Sequence, residues 1–286
     1  MASTTVKTEA SGKSRALDVL LKVLAYAVLV AMAAFFLVPF AWSLTTSLKT
    51  PDQVFQGNWI PDPVSFDAYR NVWEIVPYGR WFLNSLIYTA FVTVINIALA
   101  TTAGYALARM RFPGRQVIFY AILGTLMIPV HVYLIPIYQM MSFLGLVDTY
   151  TSVILVQAAY TFGVFLMRQF FLEMPYELEE AAKVDGASRF RTFWQIMLPL
   201  ARPALAALTI FSFLSAWNQF FWPFILLNSQ EKFPLTVGLA AFRSQYDTQW
   251  EFLMAGSLLA LLPTLLVFLV AQRQIIEGVS FTAVKG

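Results

Sequence analysis

Residues 81–108 read WFLNSLIYTAFVTVINIALATTAGYALA, 28 consecutive residues without an Asp, Glu, Lys or Arg. A helix needs about 20 mostly apolar residues to cross about 30 Å of hydrocarbon, so this segment is long enough to span a bilayer. Five more uncharged stretches flank it: Val23 to Leu48, Gln116 to Val147, Thr149 to Met167, Pro203 to Gln230 and Phe252 to Gln272. The six together hold 154 of the 286 residues. The chain is 59% hydrophobic and 12% charged, against roughly 25% charged in a soluble domain. Core helices of a soluble protein alternate apolar and polar faces, and these stretches do not. Nor do they show the period-2 alternation of a membrane barrel. An all-α membrane protein with six transmembrane helices is predicted. The spans run over approximately 23–48, 81–108, 116–140, 149–168, 203–228 and 252–272, between a tail of residues 1–22 and a tail of residues 273–286. The first stretch is too long for a signal-peptide core and has no small-x-small site after it, so it is expected to be retained.

Cysteine is absent, which excludes disulfides, thiolate chemistry and Cys-ligated metals. The net charge of +3 reflects topology rather than a nucleic-acid surface. Counted by loop, 14 of the 19 Lys and Arg residues fall on one side and 5 on the other. Cations are retained on the cytoplasmic side, which predicts that both termini are cytoplasmic. The first external loop, Lys49 to Arg80, is rich in turn residues. Trp59, Tyr69, Trp73, Tyr78 and Trp81 lie in or beside it and suit either an interfacial belt or an external docking surface. In the third stretch Pro129 and Pro136 flank His131, and a kink or break is expected near its outer end. A lone His with no acidic neighbour is weak evidence for a proton or metal site.

The loop over residues 171–199 differs from the rest. After Met174-Pro175, the run Tyr176-Glu177-Leu178-Glu179-Glu180-Ala181-Ala182-Lys183-Val184-Asp185-Gly186 predicts a short helix. Its acids sit in the first turn, where they complement free N–H groups, and Gly186 ends it. A second helix is predicted from near Ser188 to Met197, before Leu198-Pro199, with Phe190, Phe193 and Trp194 on its apolar face. This helix–turn–helix fits an amphipathic connector lying at the membrane surface, or a rigid knob gripped by a cytoplasmic partner.

Glu180-Ala181-Ala182, three residues, Gly186, nine residues, Ile196, one residue and Leu198-Pro199 resembles the signature loop of bacterial ABC importer membrane subunits. Further matches point to the carbohydrate branch, in particular its maltose-permease-G-like members. They include Ser47-Leu48-Lys49-Thr50-Pro51, Asn84-Ser85, Gly104-Tyr105-Ala106-Leu107-Ala108-Arg109, Phe112-Pro113-Gly114, Trp217-Asn218 with Phe220-Phe221-Trp222-Pro223, and Ala283-Val284-Lys285-Gly286. Gln219 departs from the pattern, since relatives commonly carry an acid there. The resemblance implies the type I importer permease fold, with the loop as a coupling helix–turn–helix between the fourth and fifth spans. It also implies a multi-pass protein of the bacterial inner membrane.

No Gly-x-x-x-x-Gly-Lys-Ser/Thr loop is present, so ATP hydrolysis is expected in a separate subunit and the chain is not itself an enzyme. The implied partners are two copies of a cytoplasmic ABC ATPase, a second non-identical permease and an extracytoplasmic sugar-binding protein. No cofactor, metal or nucleic acid is implied. Glu180 is expected to pair with the ATPase, Ala181 and Ala182 to allow close approach, and Gly186 to turn the chain. The terminal tail is expected to reach between the ATPase subunits, as in G-like relatives. Candidates for lining a translocation path are Asn84, Ser85, Asn96, Gln157, Asn218 and Gln219, polar groups that are costly facing lipid and that also serve to bond helix to helix. Two other readings compete: an ABC importer permease for amino acids, peptides, phosphate or glycerol phosphate, and a secondary transporter. The six stretches contain none of the intramembrane acids that the latter class uses for ion coupling.

Overall fold

The computed structural model describes residues 8–245 and 249–283. The elements, in chain order, are α1 (Thr8–Ser47), α2 (Pro51–Val54), α3 (Asp67–Ile75), α4 (Tyr78–Arg109), α5 (Arg115–Gly124), α6 (Leu134–Phe143), α7 (Tyr150–Gln157) and α8 (Thr161–Glu173). They continue with α9 (Glu177–Val184), α10 (Arg189–Thr192), a π turn (Phe193–Met197), α11 (Leu198–Leu200), α12 (Arg202–Trp217), α13 (Phe221–Leu226), α14 (Leu235–Gln245) and α15 (Trp250–Ala283). No strand occurs among the described residues. The last three residues lie outside them, as do the first seven, so the expectations about the two chain ends concern undescribed segments.

Three helices are long and apolar enough to cross a membrane: Leu17–Ser47, Tyr78–Arg109 and Trp250–Gln272. Two further crossings are available if bent pairs count as one each, Tyr150–Gln157 with Thr161–Glu173 (42°) and Arg189–Leu200 with Arg202–Trp217 (77°). The chain is therefore an all-α, multi-pass membrane protein. The third apolar stretch forms no single helix of crossing length. It breaks between α5 and α6 into two 3-10 turns, Thr125–Met127 and Val130–Val132. Pro129 sits in the break with extended backbone (ψ 138°). Pro136 does not break anything: it lies in the first turn of α6, where the missing N–H would have had no helical partner. His131 is exposed, with its ring 5.3 Å from that of Phe221. Among the described residues no cluster of His, Asp and Glu could hold a metal.

The chain divides into two compact units. The first comprises residues 1–71 and 249–258. Residues 17–40 of α1 are all exposed, and from Val23 onward they present an uncharged, apolar surface on every side. Beyond α1 the loop is tied back on itself: Ser65 N–H donates to Leu48 O at 2.9 Å, and the Ser47 and Tyr69 hydroxyls are 2.8 Å apart. Trp59 packs edge-on against Trp42, whose ring also carries Lys49 Nζ at 4.5 Å.

The second unit, residues 72–248 and 259–286, is built around α4, which packs against α8, α12, α7 and α14. In a bilayer, helices associate through packing and hydrogen bonds rather than by leaving water, which favours small residues at the interface. Ala100, Ala103, Gly104 and Ala108 supply them on α4, against Met167 and Phe171 of α8 and Leu208 of α12. A Cβ on Gly104 would stand 2.7 Å from Met167 Cβ and 2.9 Å from Arg168 N. Tyr78 and Trp81 are each 1% exposed, so neither joins an interfacial belt, whereas Trp73 is exposed.

Candidate functional site

The distinctive loop begins where α8 stops. Met174 is extended (ψ 141°), the conformation that a following proline imposes. Helix α9 then carries Glu177, Glu179 and Glu180 in its first turn. It ends in a Schellman arrangement, with Ala187 N–H donating to Ala182 O (2.9 Å) and Gly186 N–H to Lys183 O (3.1 Å). Gly186 has φ +77°, and a Cβ there would meet nothing within 4 Å. Glycine is required by the left-handed backbone, not by crowding. Two residues later the Ser188 hydroxyl caps α10 by accepting from Arg191 N–H at 3.3 Å. Helical backbone continues past Met197 through Pro199, contrary to a helix ending before Leu198-Pro199. The π turn supplies the reason: Leu198 N–H reaches Phe193 O, and the shifted ladder accommodates the proline.

The two faces of α9 differ. Ala182 is 4% exposed and Glu179 is turned partly inward. Glu180, Ala181 and Val184 face outward, Val184 at 87% exposure, and Phe190 at the start of α10 is 73% exposed. Inside, Arg109 at the end of α4 is 8% exposed and holds the loop. Its guanidinium donates to Met174 O at 2.6 Å and Pro175 O at 3.1 Å, and lies 4.1 Å above the Tyr176 ring. Its Nε stands 3.7 Å from Glu179 Oε1. A cleft of about 590 Å³ opens beside this group, lined among others by Tyr105, Arg111, Lys183 and Arg189.

The polar candidates on the spans separate into three places. Asn84 and Ser85 are fully buried near the start of α4. Asn84 Nδ2 donates to Glu231 O (2.8 Å) and Phe233 O (2.9 Å), and its Oδ1 accepts from Tyr150 Oη at 2.7 Å. Ser85 Oγ accepts from Leu235 N–H at 2.8 Å. Trp81 and Tyr88 complete the row by donating to Gln230 O (2.9 Å) and Lys232 O (2.8 Å). Positions 81, 84, 85 and 88 share one helix face, so α4 grips the segment 230–235 along its length. Asn96 lies farther along α4, 2% exposed. With its amide oriented to satisfy every neighbour, Oδ1 accepts from Ser212 Oγ (3.0 Å) and Nδ2 donates to Ala158 O (2.7 Å) and Gln157 O (3.0 Å). Those carbonyls lie at the break between α7 and α8, where the helix ladder is interrupted. The side chain of Gln157 turns back to Val153 O at 3.0 Å. Asn218 is exposed at the end of α12, bonded to Leu214 O at 2.9 Å, and Gln219 Oε1 accepts from Phe221 N–H at 3.1 Å.

Two side chains escaped the sequence reading. Arg109 appears in the sequence only as a loop cation and as the last residue of the Gly104–Arg109 match, with no role attached, although it directly follows a run of small residues that brings α8 close. Asp148 is the sole charge between Arg115 and Arg168. It has φ +60°, and its carboxylate accepts from Asn228 N–H and Ser229 N–H (2.9 Å each), Ser229 Oγ (2.5 Å) and Lys232 Nζ (2.8 Å).

Compared with known proteins, the family whose description reads "Binding-protein-dependent transport system inner membrane component" matches residues 96–280, more than half the chain. The chain belongs to that family. It is a permease component of the inner membrane. It is 37% identical over 262 residues to the diacetylchitobiose uptake system permease protein NgcG of Streptomyces coelicolor, covering 90% of this chain and 87% of that one. The arabinooligosaccharides transport system permease protein AraQ of Bacillus subtilis is 36% identical over 260 residues, covering 89% and 92%. The sn-glycerol-3-phosphate transport system permease protein UgpE of Yersinia pestis is 36% identical over 236 residues, covering 79% and 84%. In a crystal structure of a bacterial ABC transporter involved in the import of the acidic polysaccharide alginate, one chain superposes with a TM-score of 0.81 at 26% identity. That match covers 94% of this permease and 99% of that chain.

Proposed function

We propose that this permease is a translocation subunit of a binding-protein-dependent, ATP-driven carbohydrate importer. The observation that carries the reading is the outward face of α9 and α10. Glu180, Ala181, Val184 and Phe190 stand exposed on a segment capped at Gly186 and Ser188 and held from within by Arg109. An exposed apolar surface rimmed by charge on a rigid support suits a protein partner better than water. In this reading the loop 171–199 is cytoplasmic and docks on the ATPase, with Glu180 pairing and the two alanines allowing approach.

In this reading the chain makes six crossings, α5 and α6 together supplying the third, and the excess of Lys and Arg on one side supports cytoplasmic termini. A second, non-identical permease belongs to this reading, and an apolar groove between α12 and α15, lined by Ala206, Ile210, Leu266 and Val270, offers it a surface. Two ATPase copies and an extracytoplasmic binding protein complete the assembly. A carbohydrate cargo is supported by the names of NgcG and AraQ and by the alginate importer, while UgpE keeps glycerol phosphate as the second reading. Asn84 and Asn96, engaged with backbone carbonyls, act in the wall of the path, and the exposed Asn218 is the candidate for meeting solute.

The chain contains no cysteine, so single-cysteine probing has no background. Ala181→Cys, paired with single cysteines on the ATPase surface, is expected to cross-link in the assembled complex. A cysteine on the opposite side, at Phe55, is expected not to. Cross-linking from Phe55 and none from Ala181 would refute the orientation and the docking role together.

A further inference from the structure

Arg109 and Glu179 form an ion pair that is nearly dry and not yet closed. The Arg109 side chain is 1% exposed and that of Glu179 21%, with 3.7 Å between Nε and Oε1. Neither atom has a hydrogen-bond partner, and Nη1 of the same guanidinium has none either. Three donors and acceptors are thus buried without partners in one place, where such groups ordinarily find them. The remaining nitrogen, Nη2, is committed to the Met174 and Pro175 carbonyls, which fixes the guanidinium on the α4 side. Glu179 is carried by α9, and its carboxylate also meets the Tyr105 hydroxyl of α4.

From this geometry we infer that Arg109 is a positioning residue, and that with Glu179 it forms a strut passing displacement of α9 directly to α4. The inference rests on the reading of α9 as the segment that docks on the ATPase. A charge-assisted N–H···O bond closes at about 2.8 Å, so roughly 1 Å of travel by α9 toward α4 converts the loose pair into a tight one. Helix α4 packs on α7, α8, α12 and α14, and through Asn84, Ser85 and Tyr88 it grips the 230–235 segment at its far end. Motion entering at Arg109 therefore reaches both ends of the bundle through one rigid helix. The exposed Glu180 faces the partner, and its neighbour Glu179 faces the machine.

The test uses the complete importer in proteoliposomes, its assembly checked by the Ala181→Cys cross-link, and reads solute transported per ATP hydrolysed. Glu179→Gln keeps the shape and removes the charge. The expected result is a fall of about five- to tenfold in that ratio, the low end of the range of couplings between sites. Partial recovery is expected in Glu179→Asp, which keeps the charge and leaves the Arg109 bonds to the Met174 and Pro175 carbonyls in place. Cross-linking from Ala181→Cys is expected to be unchanged in Glu179→Gln. A wild-type ratio in Glu179→Gln with the cross-link intact would overturn the strut while leaving the docking role standing. Loss of assembly and of ATPase activity in parallel, at an unchanged ratio, would overturn it as well. Absence of the cross-link in the otherwise wild-type protein would instead overturn the docking role on which the strut rests.

Discussion

Gly104 lies so close to Met167 that a Cβ on the glycine would stand 2.7 Å from the methionine Cβ. The contact sets the spacing between α4 and α8, and with it the reach from Arg109 to the Met174 and Pro175 carbonyls. Gly104→Ala is expected to lower stability by about 1–3 kcal/mol, the usual cost of overpacking. Gly124→Ala, where a Cβ meets nothing within 4 Å, is expected to be neutral or slightly stabilising. Thermal unfolding of both variants in detergent measures the contrast. Equal midpoints would mean that the helices separate without cost.

Asn84 satisfies two backbone carbonyls and the Tyr150 hydroxyl from one buried position. Leucine fits the volume and satisfies none of them. Each orphaned buried group costs about 1–3 kcal/mol, so Asn84→Leu is expected to release the 230–235 segment. Faster cleavage after Lys232 by trypsin, relative to the unmodified protein, measures this. Asn84→Ser is expected to fall between the two.

Asp148 ties together the loops that precede α7 and follow α13. Partial burial works to raise its pKa, but the hydrogen bonds from Lys232, Ser229 and Asn228 outweigh it and hold the carboxyl well below the usual carboxylate range. A depressed carboxylate contributes stability that is present above the unfolded value, about 3.9, and lost only as pH falls through the folded one. The clasp is therefore expected to be constant from neutral pH down to about pH 5. Limited proteolysis of residues 228–232 should show no pH-dependent opening in that window, and Asp148→Asn should be cut faster throughout it. Opening of the unmodified protein between pH 7 and 5 would contradict the carboxylate's role.

Gly186 holds φ +77°, which proline cannot adopt and alanine adopts only with strain of roughly 1–2 kcal/mol. Gly186→Pro is expected to leave the protein inserted in the membrane while solute uptake per ATP collapses, and Gly186→Ala to show a milder loss. Membrane fractionation and proteoliposome uptake measure the two halves separately. Normal uptake by Gly186→Pro would show that the turn between α9 and α10 is dispensable.

Much of this arrangement was legible in the residues. Lack of charge over 28 residues identifies α4, and Pro175, the first-turn glutamates and Gly186 bracket α9 almost to the residue. These are local signals, written in composition, capping and backbone permission. The break in the third stretch was foreseen from Pro129, but Pro136 was misjudged because a proline's effect depends on its distance from the helix start. The pairings of Arg109 with the Met174 carbonyl and of Asp148 with Lys232 join residues 65 and 84 positions apart. No periodicity in the chain encodes such contacts. The isolation of Asp148 among uncharged residues hinted that it was employed, without indicating by what. Asn84 stands out in the sequence as a polar group too costly to face lipid. Its partners, backbone carbonyls of a distant loop, emerge only from the fold.

The most direct test of ATP-coupled translocation is uptake of radiolabelled carbohydrate into proteoliposomes holding this permease, its partner permease and the ATPase. It requires the loaded binding protein outside and ATP inside. Uptake is expected only when every component and ATP are present, and to be lost when the ATPase is omitted. Uptake that persists without the ATPase, or that follows an imposed proton or sodium gradient, would contradict the role of this chain as an ATP-driven importer subunit.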